Sequence, residues 1–283
     1  TLTAMNSHAL TAEPLSSQRV DAEAELVVGV VAGRTRLRRL HQQGAAKIRL
    51  PRLGRDPLEA VLINTAGGLT GGDRLAWRVA LGEGSTAVVT TQASEKVYRA
   101  ASGQAEIDVR LDVAAGAALA WLPQETILFD RSALSRRLEV DLAPGARLLL
   151  AETTIFGRTA MGETVRQGLF RDRWRIRSGD RLVHAEDFAV GPEAAVSLAS
   201  KASLAGDAAM ATVLLIASDL EALVEPARRV IGEDGGVSAW SVGGTGKLLA
   251  RLHAPDGYLL RKRLMPLLAL LNDEAPLPKA WSL

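Results

Sequence analysis

Apolar and polar residues alternate along the middle of the chain, in segments that turn at a glycine and then continue as an apolar strand. Three copies follow one another closely, with turn glycines at Gly84, Gly116 and Gly145, and a looser copy turns at Gly179. Alternation with a period of two indicates β-strands, and glycine supplies the backbone freedom that a tight turn requires. The copies are about 30 residues apart, a spacing typical of repeat architectures. We therefore expect a mainly β protein whose strands stack like the rungs of a β-helix or solenoid, or else an antiparallel meander of similar hairpins.

Helical spacing replaces the alternation after about residue 190. Residues 192–204 are rich in alanine and serine and predict a helix, and residues 218–221 predict a capping box in front of a helix that ends at Gly232. Two strands are predicted over 237–242 and 248–253, and a last amphipathic helix over 259–271, with a kink at Pro266. We expect one β-rich domain over residues 21–283, with a few α-helices toward the C-terminus, after a weakly ordered segment at 1–20.

Composition narrows the classes of function. The chain of 283 residues is 47% apolar and 23% charged and has no cysteine, which excludes wholesale disorder, disulfides, thiolate zinc sites and thiol nucleophiles. A net charge of +2 and 11 aromatic residues give little reason to expect a nucleic-acid partner. No apolar run is long enough to span a membrane, and residues 1–20 lack the apolar core of a signal peptide. We expect a cytoplasmic protein.

Two glycine-rich segments resemble nucleotide-binding loops but fail the patterns. Residues 241–248 end in Gly-Lys-Leu, without the leading glycine or the final serine or threonine of a phosphate loop, and a strand follows where a helix is needed. Residues 67–73 contain four glycines, and no helix is predicted after them. We interpret the second segment as a tight turn, or as a place where a partner or an ion approaches the backbone closely.

Candidate chemistry rests on carboxylates rather than on histidine or serine. His8, His41, His184 and His253 lie far apart in the sequence, and no serine stands in a Gly-x-Ser-x-Gly elbow. Seven acidic residues follow or end predicted strands: Asp73, Glu95, Glu125, Asp130, Glu152, Glu163 and Glu186. Glu152 and Glu186 each come seven residues after a repeat glycine, so stacked rungs would align them in a column.

Two interpretations of these acids stay open. Each could pair with one of the chain's many arginines, whose forked guanidinium suits a carboxylate. As a group, they could line a site or a passage for a divalent cation. Oxygen ligands, without cysteine and with little histidine, bind a transition metal loosely, which suits passage better than storage.

Several segments of the chain closely resemble the motifs of one known family. They are LINTAGGLTGGDRL at 62–75, TQASEKVYR at 91–99, LPQETILFD at 122–130, ETTIFGRTAMGE at 152–163 and RLVHAE at 181–186. In this order they resemble the urease accessory protein D (UreD, or UreH) family, and the likeness extends over about residues 25–270. Ser178 departs from the pattern, in which arginine is common at that place.

The resemblance implies a non-enzymatic scaffold chaperone of urease maturation with a mainly β, helically wound fold. Its expected partners are urease accessory protein F, the GTPase accessory protein G and the urease apoprotein. No intrinsic cofactor is expected, only nickel in transit to the urease active site through a water-filled passage. By position in the motifs, the seven acids named above are the candidates to line that passage.

Two further expectations concern surfaces and rival functions. The apolar face of the last helix and the tail at Trp281 are candidate docking surfaces for accessory protein F, unless they pack in the core, and an exposed Trp281 would favour docking.

One rival function is that of a glycoside hydrolase on a β-helix, which needs two carboxylates about 5–10 Å apart beside a sugar-stacking aromatic residue. The other is a passive β-solenoid whose acids are simply ion-paired.

Overall fold

The computed structural model describes residues 19–51, 54, 56–158, 161–273 and 275–282. Residues 1–18, most of the segment predicted to be weakly ordered, lie outside the described residues. The described part is mainly β, as predicted. The strands are β1 (Asp21–Val31), β2 (Arg34–Gln43), β3 (Ala46–Arg49), β4 (Leu58–Asn64), β5 (Arg74–Leu81), β6 (Thr86–Thr91), β7 (Glu95–Val97), β8 (Ala105–Val113), β9 (Ala118–Trp121), β10 (Thr126–Leu128), β11 (Ala133–Leu142), β12 (Arg147–Phe156), β13 (Leu169–Ser178), β14 (Arg181–Val190), β15 (Ala209–Ile216), β16 (Gly235–Val242) and β17 (Thr245–Ala254). The helices are α1 (Ala194–Ala199), α2 (Glu221–Ile231) and α3 (Gly257–Leu271), followed by a short 3-10 helix, Lys279–Ser282.

Three of the predicted repeat copies form stacked rungs. In each rung one strand turns at a glycine into a second strand, and corresponding strands of successive rungs pair in parallel: β5, β8 and β11 in one sheet, and β6, β9 and β12 in the other. The turn glycines Gly84, Gly116 and Gly145 all have positive φ, at 64°, 63° and 76°. The backbone N–H of Gly84 donates to the carbonyl of Ala115 in the next rung. The solenoid-like alternative is confirmed, and the meander is wrong for this part of the chain.

The strands of the described residues form two sheets that pack face to face. The first has the order β14-β13-β11-β8-β5-β1-β2, and the second has the order β16-β17-β15-β12-β9-β6-β4-β3. In the second sheet β10 also pairs with β12, and β7 pairs with β10. Their inward residues share one apolar core, to which Leu26, Trp77 and Leu138 contribute from the first sheet and Leu119 and Leu148 from the second. The two sheets therefore form a β-sandwich, which is built in part from the stacked rungs.

A helical layer covers the other face of the second sheet. Leu149 and Val213 of that sheet pack with Leu264 and Leu268 of α3 and with Trp281 in a second apolar core. Strands covered on both faces carry continuous apolar runs, which is why β15 reads AMATVLLI and is buried along most of its length. Trp281 is 1% exposed, so the expectation that it and the apolar face of α3 form docking surfaces is wrong, and both pack in the core.

The fourth repeat copy is not a rung. β13 and β14 pair antiparallel around Gly179, and both belong to the first sheet. Because the chain turns back within one sheet there, Glu152 and Glu186 lie in different sheets, and the predicted column of these two acids is wrong. Period-two alternation is the same in a hairpin and in a rung, so it could not separate them.

The helices and strands predicted after residue 190 lie at the expected places, but the length of one helix and the capping of another differ from the prediction. The helix expected over 192–204 is only the short α1. The capping box at 218–221 is wrong: the residue before α2 is Leu220, whose backbone is already helical, and no side chain caps that end. α2 ends at Gly232 as predicted, and Asp256 caps α3 through a bond from the N–H of Leu259. No helix of the described residues is long and apolar enough to cross a membrane.

Candidate functional site

A buried cluster of charged side chains lies between the two sheets. The chain places Arg136 on β11, Asp172 on β13 and Glu152 on β12, all at inward positions of their strands. β11 pairs with β13 in register, so Arg136 stands beside Asp172, while Glu152 faces both from the opposite sheet. All three side chains are less than a tenth exposed. The guanidinium therefore bridges the interior of the sandwich.

Each side-chain nitrogen and oxygen of Arg136, Asp172 and Glu152 takes part in a hydrogen bond. Arg136 donates Nε to Asp172 Oδ1 at 3.0 Å and Nη2 to Oδ2 at 2.5 Å, and its Nη1 donates to Glu152 Oε2 at 2.5 Å. The indole N–H groups of Trp121 and Trp174 donate to Glu152 and Asp172, each at 3.0 Å. One cation thus faces two carboxylates, leaving a surplus negative charge if both acids ionise. Burial is the largest influence on Glu152 and raises the pKa of its carboxyl, against the lowering effect of Arg136.

Glu95 lies on the same face of the second sheet as this cluster. β7 pairs in parallel with β10, which places Glu95 beside Thr126, and Thr126 Oγ1 accepts from Arg136 Nη1 at 3.2 Å. The amide of Asn64 donates to both oxygens of Glu95, at 3.1 and 3.2 Å. Burial raises the pKa of Glu95 to about 7, more than the bond from Asn64 lowers it. The half-buried Glu95, Thr126 and the cluster thus make a polar row that runs into the interior of the sandwich.

Glu125 points the other way, toward the helical layer. Its Oε1 lies 3.0 Å from Nε of Arg261 on α3, and its Oε2 accepts from the hydroxyl of Ser94 at 3.1 Å. The carbonyl of Glu125 also accepts from the backbone N–H of Glu95 at 2.9 Å. The guanidinium of Arg261 packs over the ring of Trp281. Glu125 therefore connects α3 to the strand end that carries Glu95, without facing the interior row.

Asp73 organises the glycine-rich loop that precedes it. Its Oδ1 accepts from the N–H of Val20 at 2.9 Å and its Oδ2 from the N–H of Thr70 at 2.7 Å. A Cβ at Gly71 would overlap the carbonyl oxygen of Ser102. The tight turn is confirmed, and among the described residues the close approach is made by the chain itself.

Asp130 and Glu163 lie together at the ends of the rungs, outside the sandwich. Asp130 Oδ1 accepts from the backbone N–H groups of Gln167 and Arg166, at 3.0 and 2.8 Å, and these bonds lower the pKa of its carboxyl. Glu163 accepts two bonds from Arg158, which lower its pKa. Both carboxylates hold loops in place. The arginine-pairing interpretation fits Glu163 and describes Asp130 only in part.

Glu186 joins the two sheets at one edge. Arg251 of β17 donates to both of its oxygens, at 2.6 and 2.5 Å. His184 Nε2 lies 4.0 Å from Glu186 and has no hydrogen-bond partner among the described residues. Burial, with the nearby charges of Lys247 and Arg251, lowers the pKa of His184 to about 4. The imidazole is therefore neutral and belongs to the packing of this edge.

The remaining histidines have ordinary surroundings. His253 Nδ1 lies 2.6 Å from Asp207, a pairing that sequence spacing did not suggest, and His41 lies 3.6 Å from Glu23. His8 lies outside the described residues. Within the described ranges, no group of three or more histidine or acidic side chains is arranged to hold a metal ion.

The structure thus divides the seven predicted acids. Glu95 and Glu152 lie along one row, and Glu125 is joined to Glu95 from the other side of the sheet. The other four lie away from this row, with Asp130 and Glu163 beside each other. Arg136 and Asp172 were not among the candidate residues predicted from the sequence. A signal was present, because both are charged residues at positions where the alternation of their strands places apolar side chains.

Comparison with known proteins gives a consistent result. The sequence model of the family described as "UreD urease accessory protein" matches residues 20–282. The chain is similar to Urease accessory protein UreD of Mesorhizobium japonicum, with 58% identity over 270 residues that cover 95% of this chain and 96% of the relative. It is also similar to Urease accessory protein UreD 1 of Brucella abortus, with 56% identity over 269 residues, and of Brucella anthropi, with 57% identity over 272 residues; both comparisons cover 95% of this chain and 96% of the relative.

Proposed function

Since the chain belongs to the UreD family of urease accessory proteins, we propose that it is a non-catalytic scaffold chaperone joining the accessory F/G GTPase complex to the urease apoprotein. A role in urease maturation follows from the family itself. The chain has no phosphate loop at residues 241–248, where Gly243 and Gly244 form the turn of the β16–β17 hairpin. Any GTP hydrolysis in the assembly is therefore assigned to accessory protein G.

Nickel in transit is the cargo of this scaffold, and the interior polar row is its route. The observation that supports this is a pair of carboxylates, Glu152 and Asp172, held in an apolar sandwich by a single guanidinium. A buried charge is costly unless it is paired. The surplus negative charge of the cluster can be met by a proton on Glu152 or by a passing cation, so proton and nickel compete for one place.

The arrangement suits passage rather than storage. Ni²⁺ bound by one or two carboxylate oxygens, without thiolate or imidazole ligands, is held weakly and can leave. Glu95 stands at one end of the row, with a carboxyl whose pKa of about 7 allows it to exchange a proton for a metal ion near neutral pH. Glu95 and Glu152 are thus the residues that touch nickel in this proposal.

The other candidate acids have supporting positions. Asp73 and Asp130 hold loops by accepting backbone N–H groups, and Glu163 and Glu186 are engaged by arginines on both oxygens. Glu125 links α3 to the strand end of Glu95. These contacts give the five acids a positioning role along the rungs.

The test is the nickel content of urease purified from cells that express the full urease operon with this gene intact, deleted or altered. Deletion should leave urease nearly free of nickel. Glu95→Gln and Glu152→Gln should lower nickel per active site while the accessory complex still co-purifies. Glu139→Gln is the matched control, because Glu139 lies on the solvent face of the strand that carries Arg136.

The outcomes separate the parts of the proposal. Full nickel content after deletion would contradict the maturation role. Full nickel content in both glutamine variants, with loss only on deletion, would contradict the interior route and favour a passive scaffold. The glycoside hydrolase alternative has less support, because each of the seven acids accepts a hydrogen bond or pairs with an arginine, and the tryptophans nearest to Glu152 and Asp172 are buried.

A further inference from the structure

Positive charge is concentrated in one stretch of this nearly neutral chain. Residues 26–55 contain eight lysines and arginines and no acidic residue, whereas the rest of the chain has 26 basic and 32 acidic residues. The whole-chain charge of +2 hides this segregation. A surface built from this stretch therefore differs in sign from the remainder of the molecule.

Half of these basic residues lie on β2, in the exposed β1–β2 hairpin at the edge of the first sheet. β2 pairs only with β1 and bears Arg34, Arg36, Arg38 and Arg39, all exposed. β1 pairs with β5 as far as Val28 but continues with β2 for three more residues. The tip of the hairpin thus extends beyond the neighbouring strands of its sheet.

In the part of the chain that the structure describes, three of these four arginines have no acidic partner, and of the three Arg34 donates to the backbone carbonyl of Gly54. Arg39 pairs with Glu25 at 2.7 Å, and the other acid of β1 at this edge, Glu23, pairs with Arg78 and His41. Among the residues that the structure describes, no carboxylate lies within 4.0 Å of Arg36 or Arg38. The side chain of Arg38 runs over Gly29, where no Cβ intervenes. Arg36 Nη1 donates to the backbone carbonyl of Thr35 at 3.1 Å. Because no described carboxylate neutralises Arg36 or Arg38, both cations can bind an acid from outside the chain.

The same edge of the sheet carries both hydrogen-bond donors that bind carboxylates and exposed apolar side chains. The backbone N–H of Thr35 lies 3.2 Å from both carboxylate oxygens of Asp56, so one amide of β2 already binds an acid. Val30, Val31 and Leu37 are 44%, 41% and 42% exposed. Arginines on one face and aliphatic side chains beside them match a segment in which acidic and apolar residues alternate.

We propose that β2, from Arg36 to His41, is a docking surface for an extended acidic segment of a protein partner. The acidic side chains of that segment bind Arg36 and Arg38, and its apolar side chains cover Leu37 and the tip of the hairpin. Cationic edge residues also discourage pairing between copies of a sheet, and this role leaves the arginines without ligands. The apolar tip favours a protein segment over nucleic acid, whose phosphates need only the charges.

The probe is a fluorescein-labelled peptide, Glu-Val-Glu-Val-Asp-Leu-Glu-Val, titrated with the full chain by fluorescence anisotropy. The test variant is Arg36→Glu with Arg38→Glu. Its matched control is Arg173→Glu with Arg177→Glu, which makes the same change of charge at two exposed positions of β13 in the same sheet. Arg36→Gln with Arg38→Gln serves if the reversed charges prevent folding, as judged by circular dichroism.

We expect the charge-reversed pair at Arg36 and Arg38 to weaken peptide binding about tenfold or more, and the control pair to change it by less than about twofold. A peptide of the same composition with its acids in one block should bind more weakly than the alternating peptide. Equal weakening in both variants, or no binding to the wild-type chain, would overturn the proposal and leave edge protection. Tighter binding to duplex DNA or to phosphatidylserine vesicles than to the peptide would overturn it in favour of a different anion.

Discussion

The half-buried carboxyl of Glu95 leads to a specific prediction about stability and pH. Its pKa is raised from 4.5 to about 7 by burial, so between these pH values the folded chain binds a proton that the unfolded chain has released. Folding stability from this group is therefore lost as the pH rises from 4.5 to 7, by about 2–3 kcal/mol. Glu95→Gln keeps the shape of the protonated side chain and an oxygen that can accept from Asn64. The variant should equal the wild type at pH 4.5 and exceed its stability by that amount above pH 7.

Guanidinium chloride unfolding, followed by circular dichroism at a series of pH values, measures this difference. The quantity to plot is the free energy of unfolding of Glu95→Gln minus that of the wild type, which cancels the titration of every other group. Glu139→Gln, an exposed acid on β11, provides the reference for removal of a surface carboxylate. A flat difference from pH 4.5 to above 7 would refute the reasoning. A wild type that gains on the variant as pH rises would show that Glu95 is ionised and well paired.

Three further predictions concern the interior cluster, the glycine-rich loop before Asp73 and the second apolar core. Arg136→Met should lower the free energy of unfolding by about 3–5 kcal/mol because it leaves two buried carboxylates unpaired. Glu152→Gln keeps an acceptor for Trp121 and should lower the free energy of unfolding by less than about 2 kcal/mol. Chemical denaturation measures both values. Gly71→Ala should destabilise by about 1–3 kcal/mol through overlap with the Ser102 carbonyl, while Gly236→Ala, which has open space around it, should change stability by less than about 1 kcal/mol. Trp281→Ala should cost about 3–5 kcal/mol, and a thermal melt equal to that of the wild type would contradict its place in the core.

The proposed nickel route offers a reason for the buried charge of the interior cluster. Replacing a well-paired buried ion cluster by apolar residues is often neutral or stabilising. Stability alone is therefore a weak reason for Arg136, Asp172 and Glu152 to occupy positions that the alternation assigns to the core. The cation passage proposed above would be a reason of a different kind, because it requires carboxylates in the interior.

Sequence alone determined the strand–turn–strand units of the three close repeats and the family. Period-two alternation and the glycines at 84, 116 and 145 specify strands and turns locally, because inward residues must be apolar and the turns have positive φ. The motifs from residue 62 to residue 186 carry the family independently of geometry. Charge at inward positions of β11 and β13 also marked the interior cluster.

Tertiary structure alone decided the direction of pairing and the partners of each acid. The same alternation supports a rung at Gly145 and a hairpin at Gly179, since both place successive side chains on opposite faces of a sheet. Asp172 meets Glu152 only because β13 continues the first sheet beside β11 while β12 crosses to the second. Hydrogen bonds between residues far apart in the chain depend on that crossing, and so the division of the acids into an interior row and loop supports could not be read from spacing.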